Sequence, residues 1–123
     1  MFLAAAKGRT EIVKVLAPLL ANPNTPDDEN FTPFGIAASN GHLDVVRILA
    51  PFVDDINASQ NPEGVAPIFY AIWKRQSELV KLLANLSKNL PTPLYGSLTP
   101  IGFAEQLGAD EIVAILKTVE EAN

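Results

Sequence analysis

The chain contains no cysteine and a single histidine, His42. Without thiols there is no disulfide framework, no thiolate metal site and no cysteine nucleophile, and one imidazole cannot build a multi-histidine metal centre. Cations are scarce too: 9 Lys+Arg stand against 14 Asp+Glu, for a formal net charge of −5. That is the wrong sign for a surface that neutralises phosphate backbones. Long apolar runs are missing as well. The stretch from Val15 to Ala21 is broken by Pro18 and falls far short of the roughly 18 residues that cross a bilayer. The segment from Met1 to Lys14 has no basic region followed by an apolar one, so it does not read as a secretory signal. No serine sits in a nucleophile elbow and no Gly-rich phosphate loop occurs. These absences predict an intracellular, soluble, non-enzymatic protein that needs no metal or cofactor and has neither nucleic acid nor a membrane interior as its partner.

What is present is enough apolar material for a packed core. Of 123 residues 48% are hydrophobic and 19% charged, which predicts one folded domain rather than a disordered segment. Ten prolines would wreck helices if scattered, yet they recur in step. Pro33, Pro67 and Pro100 each open a short apolar segment, 34 and then 33 residues apart. A second series keeps the same register, because Glu11-Ile-Val, Asp44-Val-Val, Glu78-Leu-Val and Glu111-Ile-Val follow at steps of 33, 34 and 33. The chain therefore holds four copies of one unit, at about 1–26, 27–60, 61–93 and 94–123, the first lacking its beginning.

Each copy has the same physical grammar. Thr32-Pro33 and Thr99-Pro100 place a hydroxyl at a helix N-cap and a proline at the first helical position, where the missing N–H costs nothing. Gly8, Gly41 and Gly108 follow about two turns later, where a left-handed residue ends the helix and turns the chain back. A second helix begins with an acidic residue in its first turn (Glu11, Asp44, Glu78, Glu111) and carries apolar residues at helical spacing, such as Leu43, Val46, Ile48 and Leu49. Pro18 and Pro51 sit late in these second helices and predict a stop or kink there. Clusters of Asn, Asp and Pro, as in 22–27, then lead to the next copy. A single helix pair cannot bury its apolar face alone, so neighbours must stack into an all-α solenoid.

A period of 33 to 34 fits tetratricopeptide and ankyrin arrays alike, and the residues decide between them. Phe31-Thr-Pro-Phe-Gly-Ile-Ala-Ala-Ser-Asn-Gly-His-Leu-Asp-Val-Val-Arg-Ile-Leu-Ala50, followed by Asp55-Ile-Asn-Ala58, resembles an ankyrin repeat almost position for position. The resemblance covers essentially the whole chain and is loosest in the third copy, where Ala66-Pro67 replaces Thr-Pro and Lys74-Arg-Gln76 replaces the Asn-Gly-His turn. Two departures carry a structural expectation. The histidine that usually follows two residues after the proline is replaced by Gly35, Phe69 and Gly102. Arg75 stands where glycine is usual, and in an unchanged turn it bears a left-handed backbone costing roughly 1–2 kcal/mol.

The resemblance implies helix pairs joined by hairpin-like turns, and non-catalytic recognition of a protein or peptide partner on a concave face made of the turn tips and the exposed ends of the first helices. Transferred residue by residue, that face comprises Asp28, Glu29, Phe31, Ser39, Asn40, Val65, Trp73, Lys74, Tyr95, Leu98, Gln106 and Leu107, with Pro62 and Glu63 at a tip and Ala6 and Lys7 extending it into the first copy. Val65, Leu98 and Leu107 have an alternative place in the interhelical core. Phe31, Trp73 and Tyr95 are expected to form an aromatic stripe. His42 is expected to bond nearby backbone, and Asp27-Asp-Glu29 and Asp54-Asp55 to be solvated turn tips, since neither has calcium-loop spacing. Asn57, preceded by Asp55-Ile56 and with Leu49 eight residues earlier, is similar to the pattern hydroxylated in ankyrin repeats, although a plain turn role suits it as well. The first copy begins inside a helix with Phe2 and Leu3, whereas Lys117, Glu120 and Glu121 give the last helix a polar outer face. Self-association through the amino-terminal end follows as an expectation, as does the competing role of a spacer within a longer array.

Overall fold

A computed structural model describes residues 1–29, 31–53, 66–86 and 99–122, with residues 120–122 described by their backbone alone. Eight α-helices alternate in short pairs among the described residues: α1 (Phe2–Ala6) with α2 (Thr10–Leu16), α3 (Pro33–Ser39) with α4 (Leu43–Leu49), α5 (Pro67–Trp73) with α6 (Ser77–Leu86), and α7 (Pro100–Leu107) with α8 (Asp110–Ala122). The helix starts follow from the sequence grammar. The Thr32 hydroxyl accepts the Gly35 N–H at 2.9 Å, and the Thr99 hydroxyl accepts the Gly102 N–H at 3.0 Å. Each thus satisfies one of the free donors at a helix start, a bond typically worth about 1 kcal/mol. At α5 Ala66 has no hydroxyl to offer, and Pro67 alone sets the entry. Pro18 and Pro51 act where expected: α2 ends at Leu16 and α4 at Leu49, each running into a single 3₁₀ turn, Ala17–Leu19 and Ala50–Phe52.

First helices pack on first helices (α1 on α3, α3 on α5, α5 on α7) and second on second (α2 on α4, α4 on α6, α6 on α8). The core runs between the two layers through Val13, Phe34, Val46, Leu49, Ile68, Ile72, Val80 and Leu116, all essentially out of water. Burying one such side chain contributes about 1.5–3 kcal/mol, and every repeat owes part of its burial to its neighbour.

The seams between repeats are tied by the turns. Gly8, Gly41 and Gly108 adopt φ values of +69°, +76° and +69°, and Arg75 adopts +56°. Arg75 is thus held in the left-handed conformation predicted for it. Above Gly8 lies the His42 ring and above Gly41 the Gln76 amide, both so close that a Cβ on either glycine would come within 2.6 Å and 2.5 Å. The turn side chains reach across as well. His42 Nε2 and Asn40 Nδ2 each lie 3.0 Å from the Ala6 carbonyl, and the Lys74 ammonium donates to the Ser39 carbonyl. These bonds satisfy carbonyls left free at the ends of first helices, and the Lys74 ammonium also brings a cation to the negative end of the α3 dipole. At the last seam the direction reverses, and the Arg75 guanidinium reaches forward to the Leu107 carbonyl at 2.7 Å. At each of the three seams a side chain from a turn thus supplies a polar tie to the neighbouring repeat.

Candidate partner-binding face

The turn before α3 is built by its own acidic and amide side chains. One Asp27 carboxylate oxygen accepts the Glu29 and Phe31 N–H groups at 3.0 and 2.9 Å, while the Asp27 N–H donates to the Phe31 carbonyl at 2.8 Å. This pins a tight tip on which Asp28 and Glu29 are exposed. The Asn24 side-chain oxygen accepts the Phe34 N–H at 2.8 Å and anchors the tip to the start of α3. The carboxylates are therefore displayed to solvent at one edge of the first-helix layer. The opposite edge carries Lys7, Lys74 and Arg75, all exposed.

Between these edges lies the outward side of the first helices. Trp73, at the end of α5, is 64% exposed, and its indole stacks on Phe103 of the next repeat at 6.3 Å between ring centres and 9° between planes. Phe103 in turn packs at 5.6 Å against Phe69, which is buried. The exposed indole is therefore seated on a half-buried ring that itself packs against the core. Leu3, Ile36, Tyr70 and Phe103 occupy one register position, each three residues before Ala6, Ser39, Trp73 and Gln106 and so on the same helix face. Leu3 is exposed and the other three are half-buried, giving an apolar row beside the indole.

The residues marked by the ankyrin resemblance fall into three groups. Asp28, Glu29, Asn40, Trp73, Lys74 and Gln106 are exposed; Phe31, Ser39 and Ala6 are half-buried; and Leu107 is half-buried with its side chain packed against the core. Val65, Tyr95, Leu98, Asn57, Pro62, Glu63 and the pair Asp54-Asp55 lie outside the described residues. The ring that Trp73 meets is Phe103 rather than Phe31, which precedes its first helix while Trp73 ends one. Phe103 and Tyr70 were not singled out in the sequence, although their spacing of 33 residues, each three before Trp73 or Gln106, was the available signal. His42 bonds backbone, as expected.

The family model for ankyrin repeats, in three copies, matches residues 1–93. This chain belongs to the ankyrin-repeat family. Ankyrin repeats are generally protein-interaction modules and are typically non-catalytic. The fourth helix pair, α7 and α8, lies beyond the matched residues and repeats the same Thr-capped start and glycine turn. No curated protein matches the chain. Among the described residues no helix is long and apolar enough to cross a membrane.

Proposed function

We propose that this ankyrin domain is a non-catalytic protein-recognition module of the cell interior, and that its partner seats on the outward side of the first helices between the acidic tip and the basic edge. The observation that carries the reading is the Trp73 indole, largely in water yet backed by Phe103 and Phe69. A large ring held rigid before binding loses little entropy on contact, which is how aromatic anchors concentrate binding energy. Asp28 and Glu29 on one side and Lys74 on the other select the partner's charges, while Ser39, Asn40, Gln106 and Phe31 form its rim. Val65, Tyr95, Leu98 and Leu107 extend this proposed site. Asn57 remains a proposed hydroxylation target.

A photo-crosslinking residue placed at position 73, with a second placed at Lys117 as a control, tests the reading in the intact chain. Partners captured at 73 but not at 117, and lost when Asp28 and Glu29 are neutralised, support it. The same set captured at both positions refutes it and favours a spacer role.

A second reading concerns the amino-terminal repeat. Ile12 is 49% exposed, whereas Val45, in the equivalent position of the second repeat, is fully buried. Self-association that covers Ile12 as Val45 is covered by its neighbouring repeat is proposed on this ground.

A further inference from the structure

The turn that joins α3 to α4 contains the chain's one Asn-Gly pair, Asn40-Gly41. In such a pair the backbone nitrogen of the second residue can attack the side-chain carbonyl carbon of the first, and glycine, having no Cβ, leaves the approach unhindered. The other described asparagines lack this partner. Asn22 precedes Pro23, whose nitrogen carries no proton to lose. Asn24 precedes the β-branched Thr25, and Asn85 precedes Leu86. Asn40 is also exposed, and so within reach of water.

The fold engages both reacting groups in hydrogen bonds. The Asn40 side-chain amide donates through Nδ2 to the Ala6 carbonyl of the first repeat at 3.0 Å, and the Gly41 N–H donates to the Ala38 carbonyl at 3.2 Å. Asn40 ends α3 with φ −90° and ψ 0°, a setting from which the Gly41 nitrogen must swing round before it can close a succinimide ring on Cγ. The pair also stands where two seams meet. Asn40 ties the second repeat back to the first, and Gly41 lies under the Gln76 amide of the third, so close that a Cβ there would come within 2.5 Å.

We propose that Asn40 is a site of spontaneous deamidation whose rate is set by opening of the seam between the first and second repeats, and that the product weakens that seam irreversibly. Once the bonds to Ala6 and Ala38 open, the Gly41 N–H gives its proton to solvent base and its nitrogen bonds to Asn40 Cγ. The Cγ–Nδ2 bond breaks, and Nδ2 leaves as ammonia after taking a proton from water. Water then adds to either carbonyl of the succinimide and cleaves that C–N bond, leaving a carboxylate and restoring an N–H; attack at one carbonyl yields aspartate, at the other isoaspartate. The sum is one water taken up and one ammonia released. Neither product restores the tie. A carboxylate has no proton to donate to the Ala6 carbonyl, and it places negative charge at the carboxyl end of α3, where the helix dipole is already negative. Isoaspartate also lengthens the backbone by one carbon atom beneath Gln76. Because local opening precedes the chemistry, folding protects Asn40 only as well as the seam stays shut. The proposal does not depend on the reading of the Trp73 face.

The test follows deamidation of the intact chain at mildly alkaline pH by peptide mapping and mass spectrometry, with isoaspartyl methyltransferase marking the isoaspartate. The expected result is modification at Asn40 ahead of every other asparagine, slower in the folded chain than in guanidinium chloride by about tenfold or more. His42→Ala removes the other bond to the Ala6 carbonyl and is expected to speed the folded-state reaction, whereas Thr118→Ala, in the fourth repeat, leaves it unchanged. Circular dichroism matching the parent confirms that both variants fold. In a separate arm, Asn40→Asp is expected to raise amide hydrogen exchange in α1 and α2 but not in α7 and α8. Equal rates in the folded and unfolded chain overturn the proposal, and so does a folded-state rate that His42→Ala does not raise. No reaction at Asn40 in guanidinium chloride, or unaltered exchange in Asn40→Asp, overturns it as well.

Discussion

Replacing Trp73 by alanine separates a displayed anchor from a core residue by magnitude alone. The side chain is 64% exposed, so only about a third of a group that covers roughly 250 Å² when fully buried is out of water, near 90 Å². At about 25 cal/mol per Å² this burial contributes close to 2 kcal/mol as a ceiling, because the unfolded chain already hides part of that area and alanine keeps the Cβ. A net loss of about 1 kcal/mol remains. Removing the stack on Phe103 at 6.3 Å adds roughly 0.5–1 kcal/mol. The expected destabilisation is thus between about 1 and 2 kcal/mol, against about 3–5 kcal/mol for a buried aromatic such as Phe34. Urea denaturation of Trp73→Ala and Phe34→Ala side by side gives both numbers. Partner affinity, measured on the same folded Trp73→Ala protein, is expected to fall by about 2 kcal/mol or more, roughly thirtyfold. A stability loss of 3 kcal/mol or more (the range of a core ring) refutes the reasoning, as does unchanged affinity in a variant that has lost only the predicted stability.

The turns yield further expectations. Gly8→Ala and Gly108→Ala impose the same left-handed strain of about 1–2 kcal/mol, but Gly8→Ala also drives a Cβ into the His42 ring, while nothing lies within 4 Å of the Gly108 position; thermal melts are expected to show the larger loss at Gly8, partly recovered by adding His42→Ala. Arg75→Gly relieves strain of about 1–2 kcal/mol and gives up the bond to the Leu107 carbonyl, typically about 0.5–1.5 kcal/mol, so its stability is expected to stay within about 1 kcal/mol of the parent. Arg75→Ala keeps the strain and loses the bond, and urea melts are expected to place it below Arg75→Gly. Analytical ultracentrifugation across a range of concentrations is expected to show association that Ile12→Glu abolishes, and a strict monomer at high concentration removes the self-association reading.

Much of the architecture was legible because its determinants are local. Thr32-Pro33 and Thr99-Pro100 declare a helix start within two residues, Pro18 and Pro51 end the helices before them, and the glycines at the equivalent turns imply Arg75's left-handed backbone. The features that escaped the sequence are relations across a seam. The stacking of Trp73 on Phe103 joins residues 30 positions apart, and neither spacing nor composition says which rotamer an indole takes over the next repeat. The Asn24 side chain capping Phe34, ten residues away, depends likewise on how the tip folds back. The reversed reach of Arg75 toward Leu107 follows from the conformation that a long side chain finds once its backbone is fixed. The candidate site was legible in its exposed polar members and not in its apolar row, since Ile36, Tyr70 and Phe103 alternate between core and surface duty.

The roofed turns also give the array a spelling. A repeat with glycine at its turn accepts a bulky residue overhead from the next repeat, as Gly8 accepts His42 and Gly41 accepts Gln76. The third repeat has Arg75 at that position, and the register-equivalent residue of its successor is the small Ala109. Each repeat thus constrains its downstream neighbour at one residue. Exchanging the second and fourth repeats in a recombinant chain would set His42 above Arg75 and collide, whereas moving the third and fourth together as a block preserves the match. Gene duplication and shuffling within such an array are therefore not free at every junction: the unit that travels intact is the pair, and the order of repeats is written in their turns.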